Sequence, residues 1–592
     1  MPRPGGIQGL SQDDKYSRIM ELAKRRGFFW PSYEIYGGVA GFYDMGPYGT
    51  LLKSRIIEKW RRFFIVEHSD YVVEIESPII GPARVYEASG HVENFTDPIV
   101  SCLKCGRKYR ADHLIEEKLG VDAEGMSPEE MTRLIREHNL TCPVCGGPLG
   151  EVQVFNLLFK TQIGPYEGNI GYLRPELAQG MFVAFKRVHE AMRQRIPLGI
   201  AQIGRVGRNE ISPRQAMMRL REFTIMEMEY FIDPEDPEGS CPFFHRLEDE
   251  KLRIRTFQAK QEGRGPEEFR LGEAVEEGVI LHRCLGYWMA VSKRFMESIG
   301  VPEDSMFFDE KGPHERAHYS SQTFDQMVRV SRWGWVEVSG HSYRGDYDLS
   351  RHMQYSGQDL TVFKPYKEPR LVKVKKVLVD RGYVGRTYKS QAPRVLEAVS
   401  RLTAEQVEEM LARQGKIVVD GFEIPGDRVR IVEEEVKETG RKFIPHVVEP
   451  SFGTDRVVYV AFEYAYREKD GRTILAFPRD IAPVQVTVLP LVENDEKLVQ
   501  EARSIYRMLQ EAGFYAVYDD SGSIGRRYAR SDEIGVPAAV TVDYTTLEDS
   551  TVTVRDRDTW MQVRVEKNRL VEALRDFIYN KAPLETLGEP VG

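Results

Sequence analysis

The chain is expected to be an α+β protein of more than one domain, on three observations. Its 592 residues exceed what a single hydrophobic core usually organises. Short β-branched runs alternate with amphipathic stretches of helical period. After Pro483 the pattern changes to VQVTVLPLV, a helix from Lys497 to Gln510, YAVYDD, a short Arg-rich helix, PAAVTVDY, two hairpin-like strands and a final helix. That alternation describes a compact α/β unit, so a domain boundary is placed near residues 478 to 484.

Before the boundary, apolar residues recur at Leu52, Ile56, Trp60 and Phe63 or Phe64, one face of an amphipathic helix from Thr50 to Phe64. It leads into YVVEIESPIIGP, a strand-like run ended by Pro78 and then Gly81-Pro82. EVQVFNLLFKT and the run from Ile196 to Glu210 read as strands, followed by a Pro- and Arg-rich loop and a strand from Phe223 to Ile232. Residues from about Pro234 to Arg329 carry a mostly helical pattern. WGWVEVSG is again a strand, and FGTDRVVYVAFEYAY reads as a Gly-containing turn opening into a buried helix.

Composition narrows the class. With 41% hydrophobic and 29% charged residues the chain is near globular averages, and no apolar run is long enough to span a bilayer. The start, MPRPGGIQGLSQDD, lacks an apolar segment with a small-residue cleavage site, so a cytoplasmic address is expected. The formal charge of −9 disfavours indiscriminate nucleic-acid binding but permits a local basic surface. Lys364 to Lys389 holds nine Lys or Arg against Glu368 and Asp380, with three interleaved tyrosines. That stretch suits RNA phosphates and equally suits a solvated charged surface.

Of six cysteines, four form CxxC pairs, Cys102 with Cys105 and Cys142 with Cys145; Cys241 and Cys284 stand alone. Two CxxC turns present four thiolates, the donor set of a closed tetrahedral Zn²⁺ site that stabilises folding.

The segments EIYGGVAGFYDMGPYGTLLK, ASGHVENFTDP, GYLRPELAQGMF, QIGRVGRNEISPR, REFTIMEMEYF, WGWVEVSG and EPSFGTDR, in that order, resemble the signature of the dimeric glycyl-tRNA synthetases, members of the second structural class of aminoacyl-tRNA synthetases. The resemblance implies an antiparallel-sheet catalytic domain over residues 1 to 480, interrupted by a zinc knuckle at about 97–150, a helical insertion at 234–330 and a basic insertion at 364–445, then an anticodon-binding domain over 481–592. It also implies a homodimer, the amphipathic helix before Pro78 matching the family's interface signature. The implied reaction activates glycine with ATP and Mg²⁺ to glycyl-adenylate and passes glycine to the 3′ terminal adenosine of tRNA(Gly). No GxxxxGK[ST] phosphate loop and no HIGH segment occurs, which removes two other routes to ATP.

Joining a carboxylate to an α-phosphate needs cations that neutralise both anions and hold them in line. Arg208 is the leading candidate, its planar guanidinium suiting phosphate. Glu210 is expected on the same strand face, accepting from the adenine amino group. Arg219, Arg221 and Phe223 alternate so that cations face phosphates and the ring stacks on adenine. Arg456 follows the Gly453 turn at a helix start, and Glu337 matches a Mg²⁺–phosphate position. By resemblance Asn209, Met218, Leu220, Glu222, Val338, Thr454 and Asp455 complete the nucleotide site. Arg208, Glu337 and Arg456 are taken as catalytic.

Glycine offers no side chain to grip, so its ammonium and the exclusion of a larger residue must select it. Glu176, Glu227 and Glu449 with Ser451 match the family's acidic pocket. Arg110 and Arg174 lie where the family contacts substrate, and Phe223, Thr224, Ile225, Met226, Pro450, Phe452 and Gly453 form the neighbouring strand walls. In the C-terminal unit Arg526, Arg527 and Arg530 suit RNA phosphates. Two rivals are weighed: a synthetase for serine, proline or threonine would lack this EPS and RPE combination, and a nucleic-acid-binding polymerase accessory subunit would not need Arg208, Glu210, Glu337 and Arg456 intact.

Overall fold

The computed structural model describes residues 12–123, 125–211, 213, 215–317 and 319–591. The eleven N-terminal residues, on which most of the expectation of no export segment rests, lie outside them. The chain divides into two compact units, Met1–Leu360 with Pro445–Gly592, and Thr361–Ile444.

The larger unit is organised on nine strands: β1 Val72–Glu74, β2 Leu198–Gly207, β3 Glu222–Ile232, β4 Lys251–Arg255, β5 Glu267–Arg270, β6 Met306–Glu310, β7 Gln322–Val330, β8 Gly334–Gly345 and β9 His446–Gly453. Their order is β5-β4-β6-β7-β8-β9-β3-β2-β1. Neighbours run antiparallel except β2 with β1 and β4 with β6. Helix α1, Pro47–Phe64, starts at a proline whose fixed φ suits the first turn. Leu52, Ile56, Trp60 and Phe64 are all buried. A Cβ on Gly49 would lie 1.8 Å from the Phe28 carbonyl oxygen, so only glycine allows this approach. Helices α2 (Ala178–Ala191), α3 (Arg283–Ser298), α4 (Tyr347–Ser356) and α5 (Thr454–Ala465) complete this part of the unit. The Phe64 ring stacks on Trp288 of α3 at 5.7 Å and meets Phe452 of β9 edge-on at 5.4 Å. The apolar face of α1, which carried the interface expectation, is thus used inside the chain's own core.

Residues 234–330 correct the helical expectation, since among the described residues there only α3 is a long helix and β4 to β7 extend the sheet. The reason is a period of two masked by charge: Leu252 and Ile254 point inward between Lys251, Arg253 and Arg255, and Phe324, Val328 and Val330 alternate with Asp325, Met327 and Arg329. The strand expected to reach Glu210 stops at Gly207, and EVQVFNLLFKT splits into Gln153–Asn156 and Lys160–Gln162.

The C-terminal part has β10 (Val486–Pro490), α6 (Glu496–Glu511), β11 (Ala516–Tyr518), α7 (Ile524–Glu533), β12 (Ala538–Val542), β13 (Thr551–Asp556), β14 (Gln562–Glu566) and α8 (Leu570–Ile578). Its own core runs from Val486 to Leu587. Ile534 and Val536, however, pack into the first core, so the two parts share apolar surface.

In the smaller unit, the basic run lies mainly on a strand, Val362–Val379, antiparallel to the acidic strand Val429–Phe443. Arg370 sits opposite Glu438, Lys373 opposite Glu435 and Lys375 opposite Glu433. These opposite-charge cross-strand pairs offset much of the charge that suggested an RNA surface.

Candidate functional site

A cleft of about 270 Å³ opens over β3, β7, β8 and β9. Strand alternation decides what enters it. Phe223 and Ile225 of β3 and Glu449, Ser451 and Gly453 of β9 line it, whereas Met226 and Phe452 belong to the core. The Thr224 amide is bound by Asp455 at 2.6 Å, and Pro450 and Val338 are buried.

Arg208 follows the end of β2 and lines the cleft. Its guanidinium lies 5.6 Å from the Phe95 ring centroid and 5.5 Å from that of Phe223, with Nε donating to the Pro175 carbonyl at 3.0 Å. Two rings and a carbonyl fix its direction, which preorganises a cation. Glu210 does not continue a strand face: its amide turns back to the Arg208 carbonyl at 2.7 Å, and its carboxylate pairs with Arg219 at 2.7 Å. Both line the cleft beside Met218 and Leu220. Arg221 instead braces the loop, donating to the carbonyls of Glu210 and Ala40 at 3.0 Å each. Glu222 pairs with Arg205 at 2.6 Å away from the cleft, and Asn209 is fixed through its amide to the Leu157 carbonyl.

At the other wall Arg456, in the first turn of α5, donates to the carbonyls of Met218 and Glu337 at 2.8 Å each and lies 3.5 Å from the Glu337 carboxylate. Enclosure works against the Glu337 charge, but Arg456, Lys311 and Arg208 hold its carboxyl below the usual range. Thr454 is wholly buried, and Asp455 also pairs with Lys53 at 2.9 Å.

Lys311 and Asp325, 3.0 Å apart in the cleft wall, are functional candidates that sequence reading missed. Burial and the charge of Glu337 push the Asp325 carboxyl up to about 7.

The acidic end holds a larger omission. Arg344, wholly buried at the end of β8, donates to Glu449 at 2.9 Å and to both oxygens of Asp348 at 2.8 and 3.0 Å, and lies 3.7 Å from Glu176. Its guanidinium stacks 3.8 Å over Tyr319. The carboxylates expected to await a substrate cation therefore already surround a resident one. Burial disfavours the Glu176 charge, yet His91, 3.5 Å away, and Arg344 hold its carboxyl well below the usual range. Glu227 accepts from Ser451 Oγ and the Leu177 amide, each at 2.7 Å. Burial and the charges of Glu449 and Glu176 push its carboxyl far up. The one hint of Arg344 in the sequence is its spacing from Asp348 in RGDYD, one helical turn across a strand end.

Two predicted arginines lie outside the cleft lining. Arg174 donates to the carbonyls of Arg205 and Ser77 at 2.9 and 2.8 Å; Arg110 pairs with Asp112 and, at 3.3 Å, with Asp97. In the C-terminal part Arg527 is buried and donates to the carbonyls of Pro490 and Gly522, while Arg530 pairs with Asp519 at 2.7 Å. Arg526 alone of the three is exposed; amphipathic period put Arg527 inward.

Cys102, Cys105, Cys142 and Cys145 converge, their sulfurs all within 4.8 Å. The contacts Cys102–Cys145 and Cys105–Cys142 measure 3.6 and 3.7 Å. Four sulfurs about 2.3 Å from a zinc ion stand about 3.8 Å apart, so the quartet fits. Amides of Lys104 and Cys105 point at the Cys102 sulfur at 3.4 Å, and Tyr109 Oη lies 3.1 Å from that of Cys142, as expected around thiolates.

Residues 485–577 match the anticodon binding domain family. No helix among the described residues is long and apolar enough to cross a membrane. The chain is 69% identical to the glycine–tRNA ligase of Aeropyrum pernix, over 98% of this chain and 99% of that protein. Against the glycine–tRNA ligases of Pyrococcus abyssi and Methanocaldococcus jannaschii the identities are 49% and 45%, over 96% and 95% of this chain and 99% of each relative. With similarity of that extent over nearly the whole chain, across a cleft lined by Arg208, Arg219 and Arg456 and by Glu449 of a buried acidic cluster, the chain belongs to the glycine–tRNA ligase family.

Proposed function

We propose that this chain joins glycine to tRNA(Gly) in two steps within the cleft, glycyl-adenylate being formed from glycine and ATP and glycine then passing to the 3′ terminal adenosine. The observation that carries this reading is that one cleft is lined both by Arg208, Arg219 and Arg456 and by Ile225, Ser451 and Glu449, the last bound to the buried Arg344. ATP lies with adenine against Phe223 and its phosphates toward the arginines; the glycine ammonium meets Glu176, Glu227 and Glu449. Carboxylate oxygen attacks the α-phosphorus and pyrophosphate leaves. No enzyme nucleophile is required, so alignment and charge stabilisation carry the rate. Glu337 and Asp325 are the residues that would hold Mg²⁺, which would screen phosphate charge. Both line the cleft; burial and then the charge of Glu337 raise the Asp325 carboxyl, while Arg456, Lys311 and Arg208 hold that of Glu337 down. Glycine-dependent exchange of pyrophosphate into ATP, run against all twenty amino acids, tests the reading; activation of serine or proline over glycine would overturn it.

The sheet is read as that of the second synthetase class, residues 1–480 as the catalytic domain and 481–592 as the anticodon-binding domain, supported by the match at 485–577 and the core that begins at Val486. The homodimer reading rests on the family resemblance and on the exposed Ile79, Ile80, Ile163 and Ile170 around one three-stranded sheet; solution mass checks it.

Glu449→Gln keeps the shape and an acceptor for Arg344 but removes one charge facing the ammonium. The KM for glycine should rise about 10- to 100-fold, the effect of the roughly 1.5–3 kcal/mol carried by a hydrogen bond to a charged group, with the KM for ATP nearly unchanged. Initial rates of pyrophosphate exchange at varied glycine decide it; an unchanged glycine KM removes Glu449 from the pocket.

The cysteine quartet is read as a structural Zn²⁺ site. A metal-replete preparation should hold one zinc per chain by elemental analysis, and Cys142→Ser should lose it with local unfolding of the knuckle, seen as protease cleavage within 102–150. A zinc-free, fully folded preparation would reject the assignment.

A further inference from the structure

Cys241 and Cys284, which take no part in the metal quartet, meet inside the first core. Cys241 follows the turn Pro237–Ser240, and Cys284 is the second residue of α3. They are 3% and 2% exposed. The Cys284 thiol donates to the Ser240 carbonyl at 3.4 Å, so it stands against the peptide group that leads into Cys241. The turn is pinned there, because the Ser240 carbonyl also accepts from Tyr230 Oη at 3.0 Å and the Cys241 amide returns to the Glu238 carbonyl. Neither thiol lines the cleft, and among the described residues no third metal-ligating side chain joins them. Nucleophilic attack on substrate and metal ligation are therefore both closed to this pair. What remains open is reaction with each other.

We propose that Cys241 and Cys284 are a redox modification site, closing a disulfide that clips the 237–247 turn onto the start of α3. The bond would span 43 positions of sequence and so restrict the unfolded chain, the main source of disulfide stabilisation in the chain-entropy account. The oxidant is a low-molecular-weight disulfide. One protein thiolate displaces half of the reagent as a thiol and leaves a mixed disulfide; the second thiolate attacks the protein-borne sulfur and expels the other half. One reagent S–S bond is lost and one protein S–S bond formed, the two protein thiol protons ending on two reagent thiols. Burial and the neighbouring thiol raise the Cys241 thiol far above its ordinary range, so exchange proceeds when the turn opens, and the closed bond is shielded from reductant once it packs.

The test uses the full zinc-loaded chain, incubated with excess oxidised glutathione just below the onset of unfolding, quenched with N-ethylmaleimide in denaturant and digested without reduction. The expected result is a linked peptide pair carrying Cys241 and Cys284, two hydrogens lighter than the separate peptides and released by dithiothreitol. Oxidised protein should melt a few degrees above reduced protein, a shift absent from Cys284→Ala, which should keep glycine-dependent pyrophosphate exchange. Recovery of both cysteines fully maleimide-labelled overturns the proposal, as does glutathione on each without any linked peptide. An equal shift in Cys284→Ala overturns the clip. Should Cys284→Ala fail to fold, the peptide masses from the unsubstituted chain decide alone.

Discussion

Arg208→Ala is expected to lower the kcat of glycine-dependent pyrophosphate exchange about 10²–10³-fold while leaving the fold intact, the loss typical of removing one preorganised group aimed at transition-state charge. The guanidinium is held by contacts that do not depend on substrate: the Phe95 and Phe223 rings and the Pro175 carbonyl. Its direction is thus fixed before ATP arrives, and no reorganisation is needed as charge builds on the α-phosphate. Losing it removes none of the apolar packing that supports the sheet. The decrease should therefore appear in kcat, with a smaller rise in the KM for ATP, because Arg219 and Arg456 remain. Arg208→Lys should recover little, since a single ammonium cannot present a planar pair of donors. Exchange kinetics with both variants, beside thermal unfolding, separate this from a folding defect; near-normal exchange in Arg208→Ala would remove the residue from its role.

Why Arg208, Glu337 and Arg456 could be named from sequence, while Arg344 and Lys311 could not, follows from where their partners lie. The first three sit in blocks that resemble the family's signature, and the resemblance is what gives roles to a cation after a strand, a carboxylate in an apolar strand and a cation in the first turn of a helix. Arg344 acquires meaning only through Glu449, which is 105 positions away and faces it across the β8–β9 pairing. Lys311 likewise depends on Asp325 across β6 and β7. Register across a sheet is a tertiary fact, and no local period encodes it. The same limit explains the helical expectation for 234–330, where β4, β5 and β6 have five residues or fewer, too few for alternation to outweigh their charged faces, and the longer β7 is interrupted by a register shift between Gln326 and Met327. Arg527 illustrates a third case. Its charge suggested solvent and RNA, but an arginine whose donors are met by carbonyls can be buried.

Arg344→Met should be the most destabilising single change in the pocket, by about 3–5 kcal/mol, because removing one partner of a buried ion cluster leaves the others uncompensated. Here the others are Asp348, Glu449 and Glu176, gathered beside Glu227 and Glu229, whose carboxyls are already pushed up by burial and by Glu449. The pH dependence distinguishes this cause from a simple packing loss. In the unsubstituted chain His91 and Arg344 hold the Glu176 carboxyl below its unfolded value. Its contribution to stability is present above the unfolded pKa and is lost as pH falls through the folded one. Without Arg344, carboxylates left in the pocket are raised instead of lowered, and the sign reverses: the folded state now binds protons more tightly than the unfolded state. Stability of Arg344→Met should then increase more steeply, as pH is lowered from 8 toward 5, than that of the unsubstituted chain, in which Glu227, Glu229 and Asp325 are already raised while Glu176 stays ionised across this window. Adding Glu449→Gln to Arg344→Met removes one of the unbalanced charges and should restore part of the loss at pH 8 but little at pH 5. Urea unfolding of the three proteins at both pH values measures each quantity. Equal destabilisation at pH 5 and pH 8, with no recovery in the double variant, would show that Arg344 acts through packing against Tyr319 and Phe182 and not as the resident counter-charge of the glycine pocket.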